Sequence, residues 1–281
     1  MSKRKFGVST QLYHGQRLSR DHLLEIAAHG FEAVEVFATR THFDYHSAAA
    51  IGDLQQWLAE AGLELNGMHA PVAESFVGGR LGPALSLASA DAAARARAAA
   101  EAEAALYVAR RIPMTVLVAH LGLPRTQQPS PVDNNRDAAR RSVEKLQQAA
   151  VPLGVRVAVE VIPNELSRAG SLVHFVEEDL EESDAGICLD FGHANMDGDL
   201  VEAIETVSGH LIATHVHDNR GRSDDHLVPF DGTIDWPAAL TAVQKVGYDG
   251  TLLLELAHGS PKGTLARAQK ARQRMERLLA D

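Results

Sequence analysis

Between His215 and His226 the chain reads HVHDNRGRSDDH, which places His215, His217, Asp218, Asp224, Asp225 and His226 within twelve residues. Imidazole nitrogens and carboxylate oxygens are the donors that hold divalent cations, and they are costly to bury unless something pairs with them. The residues just before, Leu211, Ile212 and Ala213, are apolar, so the first donors stand at the end of a buried strand. Side chains alternate across a strand, which puts His215 and His217 on one side and Asp218 on the other. A histidine pair at a strand end, followed by an Asp-x-His loop, points to a metal or substrate site rather than to packing.

The same donor types recur along the chain. His69 and His120 close two other apolar runs, and Glu160 is embedded in VRVAVEVI. Asp190 and His193 stand in LDFGH, and Glu255 is embedded in TLLLEL. A carboxylate inside an apolar run must be paired or bound. Together these positions supply three carboxylates and no Lys or Arg, so mutual repulsion calls for a divalent metal as counter-charge. Glu160, Asp190, His215 and Glu255 form an oxygen-rich set with one nitrogen, suited to Mn, Co, Mg or Zn. His193 is a further ligand or a hydrogen-bond donor behind that set. His69 and His120 can hold a second ion with Glu160 bridging, and Asp224 with His226 a third, so the residues allow one to three metals.

Such residues act together only if the fold brings them to one place. Strand-like runs cover about 6–13, 33–37, 63–70, 114–121, 155–162, 185–191, 211–217 and 251–256. Helical patterns follow each, at about 19–30, 47–61, 89–111, 133–151, 171–182 and 199–208, then from Asp235 and from Ser260. Strand-helix alternation repeated eight times, with nearly continuous apolar strands, predicts an α/β fold, a single (β/α)8 TIM barrel spanning residues 1–281 as one domain. In such a barrel the C-terminal strand ends meet at one mouth, and His69 through Glu255 all fall at those ends.

Composition bounds the rest. The net charge is -10, which provides no general field for a polyanion and disfavours nucleic acid as a partner. Cys188 is the single cysteine, so an intramolecular disulfide is impossible and a reducing, cytoplasmic location is expected. No signal-peptide core or bilayer-length apolar run is present, so no membrane association is expected. Neither a dinucleotide-binding glycine motif nor a phosphate loop occurs.

The segments AVEVF (33–37), MHAP (68–71), Ala119-His120, VAVEVIPN around Glu160, LDFGH (189–193), HVHDNRGRSDDHLVPFDGTIDW and LLLELA (252–257) carry a resemblance. Over nearly its whole length the chain resembles the xylose isomerase-like TIM-barrel superfamily, which unites sugar and sugar phosphate isomerases and epimerases with endonuclease IV. The resemblance implies a metal held by Glu160, Asp190, His215 and Glu255, with His193 touching substrate oxygens. It further implies a sugar isomerase or epimerase in which Glu160 and Glu255 move a proton through an enediolate. The endonuclease branch instead uses the positions of His69, His120, His193, Asp224 and His226 to help hold three zinc ions, giving a phosphodiesterase on abasic DNA as the alternative. A keto-sugar or inosose dehydratase would use the same metal site. His14, Phe37 and His42 are expected near the sugar, whereas Trp57, in a helical pattern, is expected to pack; Arg220 and Arg222 are candidates for a substrate-binding arginine. The loop that often reads Pro-Gly-Glu-Gly in relatives is here Pro229-Phe230-Asp231-Gly232, which suggests Phe230 as an apolar lid. Relatives are often dimers or tetramers, so a homo-oligomer is expected by analogy.

Overall fold

Eight parallel strands close into a barrel in the computed structural model, which describes residues 4–180, 183–257 and 260–280. They are β1 (Phe6–Ser9), β2 (Ala33–Phe37), β3 (Glu64–His69), β4 (Val116–Ala119), β5 (Arg156–Glu160), β6 (Gly186–Asp190), β7 (Leu211–Val216) and β8 (Leu252–Leu254). Each pairs with its neighbour in the sequence, and β8 closes the ring on β1 with Phe6 opposite Leu252 and Val8 opposite Leu254. Every residue of β1, β2, β4 and β6 is buried, as expected of parallel strands that face side chains on one side and helices on the other. The (β/α)8 architecture matches the one that the alternating pattern predicts.

The helices start and stop where local chemistry dictates. Ser47 accepts a hydrogen bond from Ala50 N to open Ala48–Ala61, and Gly62, at φ +67°, ends it. Asp91 opens the alanine-rich helix Ala92–Leu106 in the same way, and its Ala98, Ala99, Ala102 and Ala105 make a narrow buried stripe against the barrel. Asp235 opens Trp236–Lys245 and Ser260 opens Pro261–Leu278, each with proline in the first turn. Among the described residues, no helix is long and apolar enough to cross a membrane.

Four local features depart from the sequence pattern. The first strand stops at Ser9, because the Ser9 hydroxyl accepts from Gln11 N and the chain turns into the short helix Thr10–Tyr13. A helix, Phe191–Asp197, follows β6 directly; Asp190 caps it by accepting from His193 N at 2.7 Å. The glycine-rich loop after β3 contains a hairpin, Phe76–Val77 against Arg80–Leu81, that turns on Gly78 and Gly79 at φ +58° and +77°. Two adjacent left-handed residues are what a two-residue hairpin turn needs, and FVGGRL carries that signal. The helix expected over 171–182 runs as Ala169–His174 and widens into Phe175–Asp179. Glu181 and Glu182 lie outside the described residues.

Gly67, in register with Glu35 on one side, approaches β4 so closely that an added Cβ would lie 2.6 Å from Val116 Cγ1 and closer still to the Val116 carbonyl oxygen. Gly67→Ala is therefore expected to destabilise the barrel by about 1–3 kcal/mol, read from the urea unfolding midpoint. An unchanged midpoint would mean that β3 and β4 separate at no cost.

Candidate active site

The strand ends deliver the donors to one place. His69, Glu160 and Asp190 are the last residues of β3, β5 and β6; His120 and Glu255 follow β4 and β8 by one residue; His215 lies one residue from the end of β7. All are buried except His120, whose side chain is 20% exposed. Glu160 is the hub. Its Oε2 lies 3.0 Å from His69 Nε2 and 3.0 Å from His120 Nε2, and its Oε1 lies 2.9 Å from His215 Nδ1. Glu255 Oε2 sits 3.7 Å from His215 Nδ1 and 3.7 Å from His226 Nδ1. Asp190 Oδ1 is 3.0 Å from His217 Nε2, and Asp224 bridges His193 Nε2 and His226 Nε2 at 3.2 Å each.

Second partners fix the rings. His69 Nδ1 donates to Ala70 O at 2.8 Å, His193 Nδ1 to Val161 O at 3.0 Å and His226 Nδ1 to Glu255 O at 3.0 Å. A carbonyl oxygen can only accept, so each Nδ1 carries hydrogen and each Nε2 faces the carboxylates. His215 is turned the other way. Its Nε2 lies 3.1 Å from Glu35 Oε1, which leaves Nδ1 towards Glu160 and Glu255. A buried carboxylate behind a ligating imidazole is the usual means of orienting it. Glu35 was not among the sequence candidates, although a carboxylate within AVEVF is the same anomaly that marks Glu160 and Glu255. His217 belongs to the cluster too, on the side of the strand that alternation predicts.

The electrostatics follow from this crowding. Burial favours the neutral form of Glu160, yet His215 and His120 outweigh it and hold the carboxyl well below the usual range. Asp190 is lowered against the same penalty by His193 and His217, and Asp224 by His226 and His193. Burial opposes charge on the imidazoles, but Asp190 and Asp224 lift His193 to about 10, and Asp224 with Glu255 lifts His226 to about 9. His69 is raised, chiefly by Glu160, and His215 is raised well above the ordinary imidazole value, with Glu255, Glu160 and Glu35 all contributing. The carboxylates thus draw protons onto the histidines for want of another positive charge. Among the described residues the one buried guanidinium, Arg272, belongs to the last helix and pairs with Glu276.

Donor geometry fits a cation. One donor atom each from Glu160, Asp190, His215 and Glu255 lies within 4.8 Å of the others, as do His69 with Glu160 and His215, and His193 with His217, Asp224 and His226. Above them opens a cavity of about 440 Å³. Glu160, Glu255, His69, His120, His193, Asp224 and His226 line it, whereas Asp190 and His215 lie beneath.

The remaining candidates separate clearly. His14 and Phe37 line the cavity, with His14 stacked on Phe76 at 4.3 Å. His42 is buried behind them, 2.7 Å from Gln16 O and 3.1 Å from Thr10 Oγ1, and does not line it. Trp57 packs against the core from its helix. Arg220 and Arg222 are exposed and do not line the cavity. Asp218 faces away from the donors and holds the following loop. Its Oδ1 accepts from Asn219 N at 2.9 Å and Ile234 N at 3.2 Å, and its Oδ2 from Phe230 N at 3.0 Å and Trp236 Nε1 at 2.9 Å. Asp225 accepts from the Ser223 hydroxyl instead. Phe230 is not a lid. It holds φ +77°, packs 5.5 Å from the Trp236 ring and lies under Arg274, while Asp231 pairs with Arg267 at 2.7 Å.

The chain as a whole has relatives among known proteins. A family model described as xylose isomerase-like TIM barrel matches residues 23–280. The chain is 28% identical over 258 residues to the uncharacterized protein MJ1311 of Methanocaldococcus jannaschii, covering 89% of this chain and 83% of that one. It is 25% identical to the L-ribulose-5-phosphate 3-epimerase UlaE of Salmonella paratyphi A over 147 residues, 52% of this chain and half of that enzyme. A D-tagatose 3-epimerase-like protein of known structure superposes with a TM-score of 0.80 at 25% identity, covering 98% of this chain and 97% of that one.

Two outcomes follow from the site. Glu35→Gln is expected to weaken divalent-metal binding by about 10–100-fold, because it removes the charge that orients His215. Unchanged affinity in a titration would remove that role. Because a ligating His215 must lose the proton that its neighbours hold on it, metal binding near neutral pH is expected to release about one proton per ion and to tighten as pH rises. Calorimetry of Mn²⁺ binding in buffers of different ionisation enthalpy measures this, and no release would contradict the charge balance described here.

Proposed function

The chain belongs to the xylose isomerase-like TIM barrel family, and on that premise we propose that it is a divalent-metal-dependent sugar isomerase or epimerase. One observation carries the reading. Of the four clustered donors, the two that face the cavity are the carboxylates Glu160 and Glu255, while Asp190 and His215 are held below them. The lower pair serves as anchor, and the upper pair can also reach a substrate carbon.

Mn, Co, Mg or Zn would be held by Glu160, Asp190, His215 and Glu255; when bound, it polarises a carbonyl and the neighbouring hydroxyl of a ketose or aldose. The carbon that bears that hydroxyl, next to the carbonyl, then carries an acidic hydrogen. One of Glu160 and Glu255 takes that proton, breaking the C–H bond and leaving the electron pair in the enediolate. The other returns a proton, to the opposite face for an epimer or to the adjacent carbon for an isomer. Transfer requires the carbon within about 3 Å of a carboxylate oxygen. His193, whose Nδ1 donates to Val161 O, presents Nε2 to the cavity, where in the imidazolium form it donates to a substrate oxygen. The same residues would serve a dehydratase on a keto-sugar or inosose if a hydroxyl left from the adjacent carbon.

The cluster of His193, His217, Asp224 and His226 favours a second reading, a zinc phosphodiesterase of the endonuclease IV kind. Against it, no Lys or Arg among the described residues lines the cavity, where a phosphodiester would need cationic partners besides the metals.

The test is hydrogen exchange from heavy water into a panel of ketoses. Glu160→Gln and Glu255→Gln are each expected to lower exchange by at least about 100-fold. Full turnover in either variant would overturn the roles assigned. Nicking of an abasic duplex by the wild type, lost in Asp224→Ala, would favour the second reading.

A further inference from the structure

The cavity over Glu160 and Glu255 is made of two unlike parts. The strand ends contribute carboxylates and imidazoles, whereas two short helices, the loops and the hairpin contribute Leu12, Met196, Val72, Ile162, Phe76 and Leu81. His14 joins this apolar wall, stacked on Phe76 at 4.3 Å and edge-on to Phe37 at 4.8 Å, with one ring nitrogen already engaged by Thr39 Oγ1 at 2.9 Å. Gln11 and Thr126 are the further polar side chains in the lining, and both are neutral. No Lys or Arg among the described residues lines the cavity, and Lys3 is the single Lys or Arg among the others. Arg125, between the lining residues Pro124 and Thr126, is already paired with Asp197 at 2.6 Å and Glu165 at 3.7 Å.

From this lining we infer that the substrate is an uncharged ketose whose carbons remote from the reacting pair carry hydrogen or methyl in place of phosphate. The inference rests on the sugar isomerase or epimerase reading and specifies its substrate class. With the reacting carbons over Glu160 and Glu255, the rest of the sugar extends along the Leu12, Phe76 and Leu81 wall. A phosphate dianion there would give up its hydration with no guanidinium or ammonium to replace it, while the lining imidazoles of His69, His193 and His226 are already paired with Glu160 and Asp224. A terminal hydroxyl fares better but meets mostly carbon. A methyl group gains from the same contacts, by about fourfold in affinity for the apolar surface that it buries.

Three matched compounds test this on the Mn²⁺-loaded protein: a ketohexose, its 6-deoxy analogue and its 6-phosphate. Binding is read by calorimetry and exchange by deuterium incorporation from heavy water. The 6-deoxy compound is expected to bind at least as tightly as the parent, and the phosphate at least about thirtyfold more weakly. Leu81→Arg, at a position 47% exposed, is expected to recover about tenfold of the phosphate's deficit relative to the parent sugar. A phosphate that binds the wild type as tightly as the parent, or more tightly, overturns the inference. So does a 6-deoxy compound weakened tenfold or more. The expected binding order without exchange into any of the three would count against the proton-transfer reading while leaving the neutral, apolar-ended ligand supported.

Discussion

Buried negative charge without a permanent buried cation is the constraint on which this site depends. Glu35, Glu160, Asp190 and Glu255 all lie inside the mouth of the barrel, and no lysine or arginine among the described residues is buried with them. Such an arrangement is stable only if positive charge comes from elsewhere. In this structure His69, His193, His215 and His226 supply it, drawn towards their protonated forms by the carboxylates around them. A divalent cation satisfies the same demand with fewer groups, and neutral imidazoles then become ligands. The raised imidazoles and the proposed metal binding are therefore two consequences of one charge imbalance.

The barrel meets the geometric side of that demand through the strand ends, and Asp190 shows how much one residue is asked to do. One of its oxygens caps the helix Phe191–Asp197 through His193 N, which fixes where His193 points. Its carboxylate also holds His217, and the His217 ring occupies the space where a Cβ on Gly192 would stand. Glycine at 192 is thus required by the ring packed on it. Loop residues complete the set at some backbone cost. His226 sits at φ +44°, a conformation disfavoured for a side-chain-bearing residue, and the pairing of Asp218 with Leu227 beside it helps keep it there.

Much of this was legible in the sequence, and the limits have physical causes. The strand-helix alternation specifies the barrel because parallel strands buried on both faces leave long apolar runs. His69, His120, Glu160, Asp190, His215 and Glu255 were recognisable because each breaks or ends such a run, and His193, Asp224 and His226 because they follow such an end closely. Glu35 breaks one as well, but it lies in β2, away from the other donors along the chain, and only barrel closure brings it to His215, 180 residues later. Asp218 looked like a donor by type and spacing. Its role as a four-fold acceptor depends on where Phe230, Ile234 and Trp236 return, which no local pattern encodes. Phe230 misled for a related reason: it packs on Trp236, where the next helix begins, and under Arg274, from the last helix. Arg220 and Arg222 were candidates by proximity in sequence, and the loop turns both outward.

The two carboxylates that face the cavity are not equivalent, and the difference bears on the proposed chemistry. Glu160 is contacted at 2.9–3.0 Å by three imidazoles, and one of these, His120, is partly exposed. Among the described residues, Glu255 has no imidazole nearer than 3.7 Å. A carboxylate whose lone pairs are already engaged is a weak acceptor for a carbon-bound proton, whereas one with free lone pairs towards the cavity is available to take it. The connection through His120 gives Glu160 what Glu255 lacks, a route by which a proton can be exchanged with solvent. On the proposed reaction, Glu255 is placed to abstract and Glu160 to resupply. The extra histidines that make this site resemble a multi-metal centre then have a use even when one cation is bound: they differentiate two otherwise similar carboxylates.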